Sequence, residues 1–186
     1  MQSFSIHQLR SMVVSAVLVA LGIVVPMAFH AVGLGSKFMP MILVMMLNGF
    51  LLPWHWAALT GVIVPIASCL LTGMPPLYPP LSLSMSLEMA LLGGMVCLLY
   101  HLTAPRIWPA LIGGVVFNRV TSVLLTFYMA GWFGLPPRLF SLAYFVQGLP
   151  GIALQLSVVP LVIKTIQKRK GVLFSNGDRS EAPIFQ

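Results

Sequence analysis

Glu88 is the first acidic residue of the chain, and only Asp178 and Glu181 follow it. It lies inside an apolar stretch, where a carboxylate is costly unless a partner neutralises it or a function requires it. Ser84 precedes it by one helical turn and shares its face, so its hydroxyl is placed to donate to the carboxylate. Ser82 and Ser86 point elsewhere, and either can bond back to its own helix. Arg119 stands in a second apolar stretch, bordering a small and polar stripe of Gly114, Asn118, Ser122 and Thr126. A third stripe runs Gln147, Gly151, Gln155. Lipid suits none of these faces, so the economical packing turns them toward one another or toward an outward-opening cavity. Two chemistries compete for Glu88 and Arg119, and they are compatible. One is a buried structural ion pair, bridging a depth difference of about 10 Å by helix rise. The other is a pocket in which one or both contact a polar solute. A proton relay fits less well, because relays use chains of carboxylates or histidines and only one carboxylate is present here.

The remaining chemistry-bearing residues are weaker signals. His30 follows the first apolar stretch, where it serves either as an interfacial residue or as part of a pocket mouth with Phe29. His7, His55 and His101 read as interfacial, and no histidines pair at metal-ligand spacing. Cys69 and Cys97 fall inside apolar stretches and read as small buried residues, so no metal site is expected. The segment Thr72–Pro80 is stiffened by its prolines, which suits a lid or pocket rim, and Tyr78 is its candidate contact. Asn48 reads as a helix–helix hydrogen bond. The many methionines read as packing filler, with those near the mouth offering an adaptable apolar wall.

The elements that must position these groups are membrane spans. The chain is 59% hydrophobic and 7% charged with a mean hydropathy of +0.98, whereas a soluble domain is about one quarter charged. Apolar stretches recur at roughly the ~20-residue length a bilayer requires, broken by Pro/Gly loops. The expectation is an all-α bundle of six transmembrane helices, at about 11–29, 39–52, 56–72, 81–99, 107–129 and 140–163. Residues 1–165 form one membrane domain, and 166–186 form a basic, polar, mobile tail. The first span is too long for a cleaved signal peptide and lacks an evident small-residue cleavage site. Spans two and three are short and tightly joined, consistent with two short helices or an irregular pair. Pro26, Pro40, Pro65, Pro109, Pro150 and Pro160 are expected to break or begin helices.

Charge sets orientation. Arg10, Arg106, Lys164, Lys168, Arg169, Lys170 and Arg179 fall on one side, and Lys37 and Arg138 on the other. The positive-inside bias makes both termini cytoplasmic and turns the loops at 30–37, 74–80 and 131–138 outward. The net charge of +7 is thus a topology signal and a contact with anionic lipid, not a nucleic-acid footprint. The chain has no G-x-x-x-x-G-K-[ST], H-E-x-x-H or G-x-S-x-G sequence, which points away from an enzyme and from ATP hydrolysis by the phosphate-loop route.

Several strings carry a resemblance. Val24-Val-Pro-Met-Ala-Phe-His30, Lys37-Phe-Met-Pro-Met41, Thr72-Gly-Met-Pro-Pro76 and Gly148-Leu-Pro-Gly-Ile-Ala-Leu-Gln155 with Pro160 resemble the substrate-binding S components of energy-coupling factor (ECF) vitamin transporters, in a branch of unassigned substrate. The resemblance covers about residues 11–165. It implies a multi-pass cell-membrane protein that captures a vitamin or cofactor precursor from the outer side. Such a protein docks on a transmembrane T subunit with two ATPases, which hydrolyse ATP in its place, so no cofactor of its own is expected. On this reading Glu88, Arg119, Ser84, Asn118, Gln147, Gln155, His30 and Tyr78 are the substrate-binding candidates. Ala16 and Ala20, spaced alanine-x-x-x-alanine as in the family's docking helix, are the partner-docking candidates. The chain departs from its relatives at Pro40-Met-Ile-Leu-Val44, where they read Pro-Met-His-Ile-Pro. Ile42 and Val44 replace a histidine and a proline, which implies a different or less polar substrate contact there. Two further readings remain at this stage: a non-transport membrane scaffold or assembly protein, and a small self-contained permease.

Overall fold

The computed structural model describes residues 6–73, 75, 81–103, 106–133 and 148–174. Seven helices lie among them: α1 (Ile6–Ala31), α2 (Gly35–Phe38), α3 (Pro40–Leu51), α4 (Trp54–Thr72), α5 (Leu81–Leu102), α6 (Ile107–Phe133) and α7 (Leu149–Phe174). Five of these, α1 and α4 to α7, are long and apolar enough to cross a membrane. The expected second span differs. Met39 takes the left-handed conformation (φ 45°, ψ 56°) and separates α2 from α3. The physical reason is Pro40, which disfavours the right-handed helical region at the residue before it and itself suits the first turn of a new helix.

At 12 residues, α3 is about 18 Å long, short of the ~30 Å hydrocarbon core. Every residue from Pro40 to Phe50 is buried, as expected of a helix that is apolar all round. The second span is therefore a short central post, running from the Met39 end of the bundle to the Phe50 end and sheathed by α1, α4, α5 and α7. Of the prolines expected to break or begin helices, Pro26, Pro65 and Pro160 instead lie inside α1, α4 and α7. All three are buried, so protein rather than lipid faces the backbone they interrupt. Pro40, Pro109 and Pro150 sit in first turns, where the missing N–H costs nothing. Gly73 ends α4 in the left-handed region (φ 72°) with its N–H on the Cys69 carbonyl at 2.9 Å, a common helix stop.

Small residues set the closest approaches. A Cβ on Gly61 of α4 would lie 2.6 Å from the Met89 carbonyl oxygen and the Ala90 nitrogen of α5, and one on Gly49 of α3 would lie 2.7 Å from the Gly93 oxygen. Asn48 Nδ2 donates to the Ala57 carbonyl at 2.8 Å, tying α3 to α4 as expected. These contacts make α4 and α5 antiparallel and set Ser82 opposite Ser68. Between α5 and α6, Gly114 abuts Val96 and Gly113 abuts Leu99, again an antiparallel register.

Four helices close a ring. Helix α5 packs on α3 and α6, and α7 packs on α3, α6 and the single turn of α2. Across the ring, α3–α6 and α5–α7 approach only sparsely among the described residues. Helix α1 packs outside the ring, against α2, α3 and α4. At one end the bundle is knitted together by Tyr100, whose ring meets Phe50 edge-on at 5.1 Å and whose hydroxyl accepts from Gln167 Nε2 at 3.0 Å. Exposed large apolar side chains occur on every long helix, among them Leu21, Leu70, Leu98, Phe127 and Leu161, which is the surface a bilayer solvates.

Candidate functional site

The ring's other end, around Met39, gathers the intramembrane polar residues. Glu88 on α5 and Arg119 on α6 are both half-buried. The Ser122 hydroxyl donates to the Glu88 carboxylate, and Arg119 interacts with it through charge. Ser122 and Arg119 differ by three residues, about 4.5 Å of helix rise. The antiparallel α5–α6 register thus brings Glu88 and Arg119 closer in depth than the roughly 10 Å read from the sequence.

Arg119 does more than neutralise Glu88. Its Nη2 donates to the Gly148 carbonyl at 3.2 Å and approaches Met39 Sδ at 3.8 Å. The guanidinium lies over Gly148, where a Cβ would come within 2.7 Å of Nη2 and 2.9 Å of Nη1. One side chain therefore spans the α2–α3 break, α6 and the start of α7. Gly151 performs a similar service one turn on. The absence of a Cβ lets α7 approach the Phe38 carbonyl, which a Cβ would meet at 2.7 Å.

Asn118 and Gln155 lie in the same part of the ring. Asn118 is 3% exposed and Gln155 2%. The Asn118 Oδ1 acceptor and the Gln155 Nε2 donor are buried without a hydrogen-bond partner among the described residues. A buried polar atom left unpaired costs about 1–3 kcal/mol. Ser84 is half-buried one turn from Glu88 on the same helix. His30 is exposed, and its ring covers Gly35, where a Cβ would lie 2.5 Å from Nδ1 and Cε1. Ile42, the departure from the relatives' histidine, is buried on α3. Tyr78 and Gln147 lie outside the described residues. Ala16 and Ala20 are exposed on α1, opposite its buried Ser15, Leu18 and Gly22.

The structure thus brings Glu88, Arg119, Asn118 and Gln155 around one ring of helices and leaves His30 at its margin. It adds Met39, Ser122 and Gly148. Ser122 was visible as a member of the α6 stripe. Met39 and Gly148 carried no chemical signal of their own, because a thioether and a backbone carbonyl become ligands for Arg119 only after folding. Among the described residues no cluster of three His, Cys, Asp or Glu side chains has metal-binding geometry. The set provides one carboxylate, one guanidinium and two carboxamides, which recognise polar groups by charge and hydrogen bonding.

A family model described as ECF transporter, substrate-specific component, matches residues 10–163. The chain belongs to this family. It is the membrane-embedded, substrate-specific S component of an ECF transporter, a transport-specificity subunit rather than an enzyme. No curated protein and no solved structure matches the chain. The family match spans the whole S-component ring, from Arg10 in α1 to Ile163 in α7.

Proposed function

We propose that this S component captures a vitamin-like polar solute between α3, α5, α6 and α7, with Glu88, Arg119, Asn118 and Gln155 as contacts. The observation that carries the reading is the gathering of these four side chains at one end of a ring whose other end is closed by Phe50, Tyr100 and Gln167. Ser84 and His30 extend the contact set toward the mouth, and Tyr78 and Gln147, outside the described residues, are proposed contacts as well. The Met39 end faces outward. This choice leaves Arg10, Arg106, Lys164 and Lys168 on the cytoplasmic side, in keeping with the positive-inside rule.

Uptake uses a transmembrane T subunit and two ATPases. Their docking surface is the face of α1 bearing Ala16 and Ala20, where small side chains allow close helix approach. The S component holds no cofactor and hydrolyses no ATP. The test is to purify the full chain, identify small molecules retained with it by mass spectrometry, and measure their uptake in cells carrying the transporter. Ala16→Leu is expected to leave retention unchanged and to cut uptake at least about tenfold, because one bulky residue blocks a small-residue helix interface. Retention lost along with uptake would remove α1 from the docking role. A purified chain that retains no solute and supports no uptake would sink the capture reading itself.

A further inference from the structure

At the Tyr100 end of the bundle positive charge has no negative counterpart in the protein. Glu88 is the one acidic residue among the described residues, and it lies near Arg119 at the opposite end. Lys164 and Lys168 are both exposed on α7. The rotation of α7 follows from what it buries: Gln155, Val159 and Ile163 face the ring, and Gln167, one turn on, donates to the Tyr100 hydroxyl. The opposite face is one stripe, Ser157, Leu161, Lys164 and Lys168, exposed along its whole length. Ser157 donates its hydroxyl back to the Ala153 carbonyl at 2.8 Å, so it makes no polar demand on the lipid beside it. Leu161 is 67% exposed, and the two lysines stand where this apolar wall ends. Both belong to the apolar span Leu149–Lys168, with Lys164 about 6 Å deeper by helix rise. A lysine at that depth runs its methylenes along the wall and carries its ammonium to the headgroup level. One turn apart, the two side chains have Cβ atoms about 5–6 Å from each other, and like charges so placed repel.

We infer that Lys164 and Lys168 clamp the phosphate of one anionic glycerophospholipid, whose acyl chain lies along Leu161 and Ser157. Both ammoniums donate to the phosphate oxygens, and the negative charge relieves the repulsion that no carboxylate of the described chain offsets. A zwitterionic lipid brings the same phosphate with a cation of its own, which the lysines disfavour. The positive-inside distribution attracts anionic lipid to this end in general. The α7 stripe makes that attraction a defined position for one headgroup. The inference is independent of solute capture, because it uses the lipid-facing side of α7 and none of the ring interior.

The probes are phosphatidylglycerol and phosphatidylcholine in equal parts, presented in mixed micelles to the purified full chain, with bound lipid counted by native mass spectrometry. We expect phosphatidylglycerol to be held at least about fivefold over phosphatidylcholine, the scale of one cation against an anionic headgroup. Lys164→Gln and Lys168→Gln should each lower that preference, and the double variant should abolish it. Lys164→Arg combined with Lys168→Arg keeps both charges and should retain it. Arg10→Gln removes an exposed cation at the same end but on α1, and should leave the preference intact. Melting temperatures in phosphatidylcholine alone should match wild type, since every replaced side chain is exposed. Should a glutamine variant not fold, Lys164→Ser and Lys168→Ser serve the same comparison. Equal binding of the two lipids by wild type overturns the inference and leaves the stripe to a protein partner. A preference that survives the double glutamine variant, or that falls as far in Arg10→Gln, also overturns it, because the attraction then belongs to the whole basic end.

Discussion

Helix α5 meets α4 through Met89, Ala90 and Gly93, a stripe that Ser82 and Ser86 continue, and meets α6 through Glu88, Val96 and Leu99, a stripe that Ser84 continues. Toward α4 the contact is backbone on backbone: Gly61 against Met89 and Ala90, and Gly93 against the Ala57 carbonyl, where a Cβ would sit at 3.0 Å. Ser86 bonds back to the Ser82 carbonyl at 2.7 Å and takes no part across the interface. Toward α6 the polar contacts are made by side-chain ends. Ser122 donates to Glu88, and Arg119 reaches past α6 to Met39 and Gly148. Both faces carry serines, so residue type does not separate them. What separates them is that one face excludes side chains and the other brings functional groups to the end of the ring where α3 and α7 begin. In a bilayer, where lipid supplies no hydrophobic drive between helices, close approach of small residues does the holding. That leaves the polar face available for recognition.

Substitutions sharpen this contrast. The largest effect should come from Gly61→Val. Its new side chain overlaps the α5 backbone, which cannot rotate aside as a side chain can, so about 3 kcal/mol or more of stability should be lost. A drop in folded yield and in the melting midpoint of the detergent-solubilised protein would register it. Unchanged melting would mean that α4 and α5 are not in backbone contact. Next in size, Glu88→Gln on the opposite face should weaken solute binding about 10- to 100-fold, the scale of one hydrogen bond to a charged group, while the melting midpoint stays close to wild type. Equilibrium binding of the retained solute checks it, and a stability loss as large as that of Gly61→Val would make Glu88 structural instead. The smallest effect belongs to Ser82→Ala. The Ser82 hydroxyl is buried without a partner among the described residues, so its removal should leave stability within about 1 kcal/mol or raise it. Binding should not change. A marked loss of binding would move Ser82 to the recognition side of the comparison.

Much of the architecture was legible in the chain. Apolar runs located α1 and α4 to α7, and the four-residue spacings found the Gly114–Asn118–Ser122 and Gly151–Gln155 stripes. Glu88 and Arg119 stood out because a charge among apolar residues is conspicuous in any reading. That span two is short and sheathed by protein along its length was not legible. A run buried by protein and a run buried by lipid have the same composition, and only its neighbours reveal which surrounds it. The choice of partners for Arg119 was equally invisible, because every residue has a carbonyl and only packing brings that of Gly148 under the guanidinium.

The sequence by itself determined that this is a multi-helix membrane protein of the S-component family, and which few polar residues its membrane interior must accommodate. Those properties follow from composition and from local period, which are written along the chain. Tertiary structure decided which serine face of α5 is mortar and which is site. It also decided that Met39 and Gly148 hold Arg119, and that the carboxamides of Asn118 and Gln155 flank one ring. These depend on helix register and on glycine contacts a few ångströms wide, and distances of that kind are set between segments far apart in sequence.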